Sequence, residues 1–272
     1  MSVITILLIS GILFMLGAAV GSFLNVIIYR TMTGESWVWG WSHCEGCKKR
    51  IRWYDNIPLL SYLILRAKCR DCQEPIALSH PVIEFLTGIL FVWWYWGASL
   101  FFRLTEAPFQ ALQPLFWLSV GVLLVLIFVA DVLYLLIPDI AVVLLFGLTI
   151  VYRVALVMSG IMQWDDFVRS VVAGLAIFAF FIFLWWVTRG KGMGLGDVKL
   201  VGPLTLLMGW PRVLIGLFLS FSIGAVIGLT MVALKKRTFR QSIPFGPFLV
   251  IGTALSLLVG EKLLQWYLGF LY

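Results

Sequence analysis

The chain has 272 residues, of which 62% are hydrophobic and 12% charged, with a mean hydropathy of +1.03. That balance excludes a soluble globular domain, which needs more polar side chains to cover its surface. The net charge of +7 does not point to nucleic acid, because the basic residues gather at 30–70, at 189–199 and at Lys235-Lys236-Arg237 with Arg240, a positive-inside pattern that puts all three clusters in the cytoplasm.

Apolar runs of around twenty residues read as membrane-spanning helices, and eight are expected. The first covers Val3 to Tyr29; it lacks a basic leading segment and exceeds a signal peptide's apolar core, so it reads as a retained span. Gly17 and Gly21 in it predict close helix packing. A polar stretch follows to Ser79, and the second span, Pro81 to Phe102, leads to an outer loop around Arg103 and Glu106. The third span runs from Pro114 to Leu135, turns at Ile137-Pro138-Asp139, and the fourth continues to Met158. Arg153, late in the fourth, reads as snorkelling to the outer interface. Asp165 and Asp166 precede the fifth span, Phe167 to Thr188. The sixth, Asp197 to Met208, is short, and Gly202-Pro203 is expected to interrupt it. The seventh, Arg212 to Leu234, and the eighth, Ile243 to Tyr267, complete an all-α polytopic fold with both termini outside. No internal repeat stands out.

All four cysteines fall in the loop between the first two spans, as Cys44-Glu45-Gly46-Cys47 and Cys69-Arg70-Asp71-Cys72. Two such knuckles suit tetrahedral thiolate coordination of zinc, and four ligands close the site, so a structural clip is expected. A cytoplasmic location argues against stable disulfides. Lys48, Lys49, Arg50, Lys68 and Arg70 offset the thiolate charge. His43 adjoins the first cysteine and reads as a neighbour of the site rather than a ligand.

Two aspartates stand where a bilayer makes a carboxylate costly: Asp131, near the end of the third span, and Asp197, in Gly192-Met193-Gly194-Leu195-Gly196-Asp197. Such residues normally face a protein interior or a wet cavity and are functional candidates. Both are expected near the cytoplasmic face. A close pair of carboxylates shares a proton, so that one serves as base and the other as acid, which is the chemistry of aspartyl proteolysis. Gly194 and Gly196 leave room for an extended backbone beside Asp197; alone, that string equally suits a capping aspartate at a helix start. Asp139 follows Pro138 at a helix start and reads as structural. Lys199 either stabilises a negative pair or snorkels. A membrane transporter using the acids as a relay is the reading from another class, and a zinc-held assembly scaffold is a third. No His-Glu-x-x-His or Gly-x-Ser-x-Gly string supports a metallo- or serine protease.

Six ordered strings resemble the bifunctional type IV prepilin peptidases, the leader peptidase/N-methyltransferases. They are Gly21-Ser22-Phe23-Leu24-Asn25-Val26 with Tyr29-Arg30, Asp55-Asn56-Ile57-Pro58 between the cysteine pairs, His80-Pro81-Val82-Ile83-Glu84, Asp131 eight residues before Asp139, the glycine-rich string through Lys199, and Ile243-Pro244-Phe245-Gly246-Pro247-Phe248. Leu133 and Tyr134 depart from the Asp and His many members carry there, Thr31-Met32 from a common Leu-Pro, and Leu195 from a frequent glycine. The resemblance implies an intramembrane aspartyl peptidase whose dyad is Asp131 and Asp197. It would cut prepilins or pseudopilins after the glycine preceding their hydrophobic helix, then methylate the new N-terminus from S-adenosylmethionine. It also implies a division into a first span at 1–30, a four-cysteine loop domain at 31–80 tied to methyl transfer, and a peptidase domain at 81–272 in the bacterial inner membrane. No Gly-x-Gly-x-x-Gly nucleotide fingerprint is present. Glu84 is a candidate donor contact, and its other reading is a buried hydrogen-bond partner for the loop. A peptidase without methyltransferase activity is the nearest alternative.

Overall fold

The computed structural model describes residues 2–36, 39–97, 104, 107–234 and 244–269. Its helices are α1 (Val3–Thr33), α2 (Leu60–Ile64), α3 (Ser79–Trp96), α4 (Phe109–Tyr134), α5 (Asp139–Met158), α6 (Trp164–Val187), α7 (Leu195–Met208), α8 (Arg212–Ala233) and α9 (Gly246–Gly269), with a 3₁₀ turn at Trp53–Asn56. Among the described residues there is no strand, only the isolated bridges His43–Arg50 and Lys68–Pro75. The chain is an all-α polytopic membrane protein. A helix stands at each of the eight expected spans, and six of them (α1, α4, α5, α6, α8 and α9) are long and apolar enough to cross a membrane. The other two fall short for different reasons. At 14 residues, α7 reaches about 21 Å against roughly 30 Å of hydrocarbon. The first turns of α3 carry Ser79, His80, Pro81 and Glu84, which lower its hydropathy. Residues 98–102, the loop at Arg103 and Glu106, the basic cluster from Lys235 to Arg240, and Ile243 lie outside the described residues.

The chain forms two compact units, residues 1–126 and 127–272. In the first, α1 begins on Ser2, whose hydroxyl accepts the Thr5 N–H, and ends on Gly34 in the left-handed region at φ 72°. Glycine takes that conformation without steric cost. Arg30, in the last turn, donates to the carbonyls of Ser36, Trp39 and Trp41 and so folds the following loop back on the helix. The expected close packing at Gly17 and Gly21 is present. A Cβ on Gly17 would lie 2.5 Å from the Thr87 carbonyl oxygen, and one on Gly21 would lie 2.7 Å from Glu84 Cα. The partner is therefore α3.

In the second unit α7 touches α5, α6, α8 and α9 and is buried on nearly every side. Two expectations fail here. The helix runs unbroken through Gly202-Pro203 to Met208; proline removes one backbone hydrogen bond, but packing from four neighbouring helices keeps the segment helical through it. Arg153 does not snorkel. It is buried, donates to the Ser170 hydroxyl, and packs against Gly209 at the C-terminal end of α7, where the helix dipole favours a cation. A third difference is that α4 starts at Phe109, so Pro114 lies inside the helix rather than at its start.

Candidate functional site

In the second unit, Asp131 lies in the last turn of α4, which ends when Leu135 adopts φ 53° and its N–H bonds back to the Asp131 carbonyl. The chain then passes Ile137 and Pro138 and restarts as α5 at Asp139. This hairpin turns Ile137 back toward the aspartate. Asp197 lies in the first turn of α7, its carboxylate accepting the Gly194 N–H at 3.2 Å, so the capping role is real. Gly246, the first residue of α9, donates its N–H to Asp131 Oδ2 at 2.9 Å.

Ile137 brings these parts together. A Cβ on Gly196 would lie 3.2 Å from Ile137 Cβ, and a Cβ on Gly246 would lie 3.2 Å from Ile137 Cδ1 and 2.6 Å from Asp131 Oδ2. The starts of α7 and α9 therefore meet across one isoleucine. The two aspartates are only 5% and 7% exposed and interact electrostatically. Each faces a helix N-terminus, where backbone N–H groups favour negative charge and offset part of the cost of burial. Asp139 and Lys199 form an exposed ion pair at 2.8 Å that ties the start of α5 to α7. The roles of Gly246 and Ile137 were not legible from spacing. Their only signal was membership of the strings Ile243–Phe248 and Ile137-Pro138-Asp139.

The four cysteines in the first unit gather so that all four sulfurs lie within 4.8 Å of one another, with Cys44 Sγ 3.7 Å from Cys72 Sγ. Four thiolates around a tetrahedral zinc at about 2.3 Å stand about 3.8 Å apart, so the set fits a metal. It does not fit disulfides, and all four are free thiols. The two knuckles share one backbone pattern. Cys44 N–H donates to the Lys49 carbonyl as Cys69 N–H does to Glu74, Lys48 to Cys44 as Gln73 to Cys69, and Ile51 to Ser42 as Ile76 to Ala67. Lys48 and Gln73, each just after a second cysteine, both take positive φ. Residues 42–51 and 67–76 thus form a short internal repeat, against the expectation of none; only Cys-x-x-Cys and the closing isoleucine mark it in sequence. Backbone N–H groups of Cys72 and Asp71 hold the Cys69 thiol down to about 7, whereas burial and the three neighbouring sulfurs push that of Cys72 up to about 12. His43 faces the Trp41 carbonyl and Glu35 rather than the sulfurs.

Arg70, inside the second knuckle, forms a two-pronged ion pair with Asp55 at 2.6 and 2.9 Å. Its guanidinium bond keeps the Asp55 carboxyl below the usual carboxylate range. Glu84 is buried in α3 and accepts the Leu59 N–H at 2.7 Å and the Ser22 hydroxyl. It is thus a buried hydrogen-bond partner for the loop, as one of its two readings expects. A cavity of about 430 Å³ opens between the end of α1, the knuckles and the start of α3, with Asn25, Tyr29, Glu45, His80 and Glu84 on its wall.

Fold and site together define a multi-pass membrane protein with a buried carboxylate pair and a separate four-cysteine clip. Residues 15–98 match the bacterial peptidase A24 N-terminal domain, and residues 118–229 match the type IV leader peptidase family. Proteins named prepilin leader peptidase/N-methyltransferase are similar over nearly the whole chain. The one from Aeromonas hydrophila is 32% identical over 95% of this chain and 93% of its own. Those from Legionella pneumophila (31%; 93% and 92%) and Pseudomonas aeruginosa (32%; 94% and 92%) are alike. The chain belongs to the type IV leader peptidase family. No solved structure matches it.

Proposed function

We propose that this protein cleaves the leader of prepilins or prepilin-like proteins with Asp131 and Asp197 and then methylates the new N-terminus. The observation that carries the peptidase half is that two buried, electrostatically interacting carboxylates, Asp131 at the end of α4 and Asp197 at the start of α7, lie beside the point where the starts of α7 and α9 meet across Ile137. One aspartate, ionised, takes a proton from water as it attacks the scissile carbonyl. The other, protonated, hydrogen-bonds the carbonyl oxygen and then protonates the leaving amine. The positive-inside distribution of basic residues supports a location of the dyad and the cysteine loop at the cytoplasmic edge of the bacterial inner membrane.

Zinc is the metal that suits four thiolates at these separations. It would be held by Cys44, Cys47, Cys69 and Cys72 and, with no open position, would brace the loop. For the second activity, the cavity beside Glu84 has the size of a small-molecule site. Glu84 is a buried carboxylate with no salt-bridge partner among the described residues, and a positively charged sulfonium donor suits it. When bound, S-adenosylmethionine supplies the methyl group: the amine lone pair takes it, the C–S bonding pair stays on sulfur, and the displaced proton leaves to water. Glu84 and Asn25 would orient the donor, while Tyr29 offers an aromatic face.

The test is cleavage of a prepilin by detergent-purified protein with labelled donor present. Loss of cleavage in both Asp131→Asn and Asp197→Asn, with both folded, and label on the wild-type product are expected. Cleavage surviving in either variant removes that aspartate from the mechanism. Cleavage without label favours a peptidase alone.

A further inference from the structure

The short helix α2 and the 3₁₀ turn before it carry an apolar face that nothing in the first unit covers. Trp53 is 81% exposed, Leu63 72% and Ile64 65%, with Leu60 and Leu78 beside them in sequence or at the α3 start. The segment is not a loose tip. Ser61 donates to the Tyr54 carbonyl and accepts the Ile57 N–H, and Arg70 grips Asp55. An ordered apolar face of this kind needs a partner.

Its depth identifies that partner. Leu59, which leads into α2, is tied by its N–H to Glu84, and Glu84 also takes the hydroxyl of Ser22. Ser22 lies within the apolar run of α1, short of Arg30, the first charged residue of that helix, where the chain leaves the bilayer. Leu59 therefore sits at the edge of the hydrocarbon, beyond the start of α3 rather than above it. At the same level the outward faces of the spans present Phe23, Val82 and Phe85, all largely exposed, so α2 continues a surface that already faces lipid. Arg52, Arg66 and Lys68 flank the segment and are exposed. That arrangement, apolar and aromatic residues rimmed by cations, suits the headgroup boundary of an anionic leaflet.

We propose that residues 53–65 dip into the leaflet on the loop's side, as an interfacial anchor that holds the cysteine loop and its cavity against the membrane surface. Its occupant is lipid, not a soluble protein and not a second copy of this chain. The test places the photoreactive residue p-benzoylphenylalanine at Leu63, and separately at Ile12, in full-length protein. Ile12 lies on α1 and is 61% exposed. Nanodiscs of phosphatidylethanolamine and phosphatidylglycerol carry the protein. The expected result is lipid adduct at Leu63 within about threefold of that at Ile12. A yield below about a tenth of the Ile12 value, or adducts mainly with protein, overturns the proposal. A second reading avoids any disturbance by the probe: the emission lost on Trp53→Phe should be quenched by brominated lipids, and unquenched emission overturns it as well.

Discussion

At Gly246 the absence of a side chain does two things at once. Its N–H reaches Asp131 at 2.9 Å, and any Cβ there would meet the same carboxylate. Gly246→Ala is expected to displace Asp131 without removing any titratable group. Misplacing a catalytic group by about 1 Å costs on the order of 10²-fold in rate, so prepilin cleavage should fall by about that factor with the helical content unchanged. Wild-type cleavage in this variant would show that the contact with Gly246 does not position Asp131. Sequence pattern pointed to both aspartates, because a carboxylate in an apolar run is conspicuous. It was silent on Gly246, since a backbone N–H is a property every residue but proline shares.

At the scale of elements, α1 and α3 approach through Gly17 and Gly21 on one side and Glu84 to Gly88 on the other. Gly21→Leu overfills that contact and should lower stability by about 1–3 kcal/mol, read as earlier thermal unfolding in detergent. Because Gly21 lies on Glu84, the same change should also loosen Leu59 from α3, measured as faster amide exchange at Leu59. The Arg70–Asp55 pair links the second knuckle to the 3₁₀ turn. Its folded-state carboxyl is held below the ordinary value, so its stabilisation is present above the unfolded pKa, about 4, and is lost as pH falls through the lower folded value. Arg70→Ala should flatten the acid side of the loop's stability profile, and an unchanged profile would assign the acid sensitivity to other groups. The glycine spacing announced the α1–α3 contact. The unbroken course of α7 through Pro203 and the burial of Arg153 were not legible, because both depend on neighbours distant in sequence. A proline alone predicts a break and an arginine alone predicts an interface.

For the whole molecule, the two compact units divide the chemistry between them. The carboxylate pair and its helix starts belong wholly to residues 127–272, while the cysteine clip and the cavity belong wholly to residues 1–126. Metal stabilises a small loop by holding ligands that the unfolded chain would scatter. Removing it with a chelator, or by Cys44→Ser with Cys72→Ser, should abolish bound zinc by elemental analysis and lower methyl incorporation far more than cleavage. An equal loss of both activities would show that the clip supports the entire protein. Composition and apolar runs disclosed the all-α membrane fold and the number of long helices, since lipid imposes length and hydropathy on every span. They do not by themselves separate α3 and α7 from the six longer or more apolar helices, because both also answer to contacts with neighbouring helices and with the loop.

Ile137 remains. Its side chain fills the gap between the starts of α7 and α9, and in doing so it acts as a spacer gauge. On the proposed mechanism, two carboxylates that share a proton yet admit a peptide need a fixed clearance, and the branched side chain wedged between the two helix starts beside them is placed to set it. On that proposal the width of the cutting site depends on a residue that takes no part in proton transfer. Shortening it to valine or alanine would let the jaws close, altering which peptide backbones fit without touching an acid or a base.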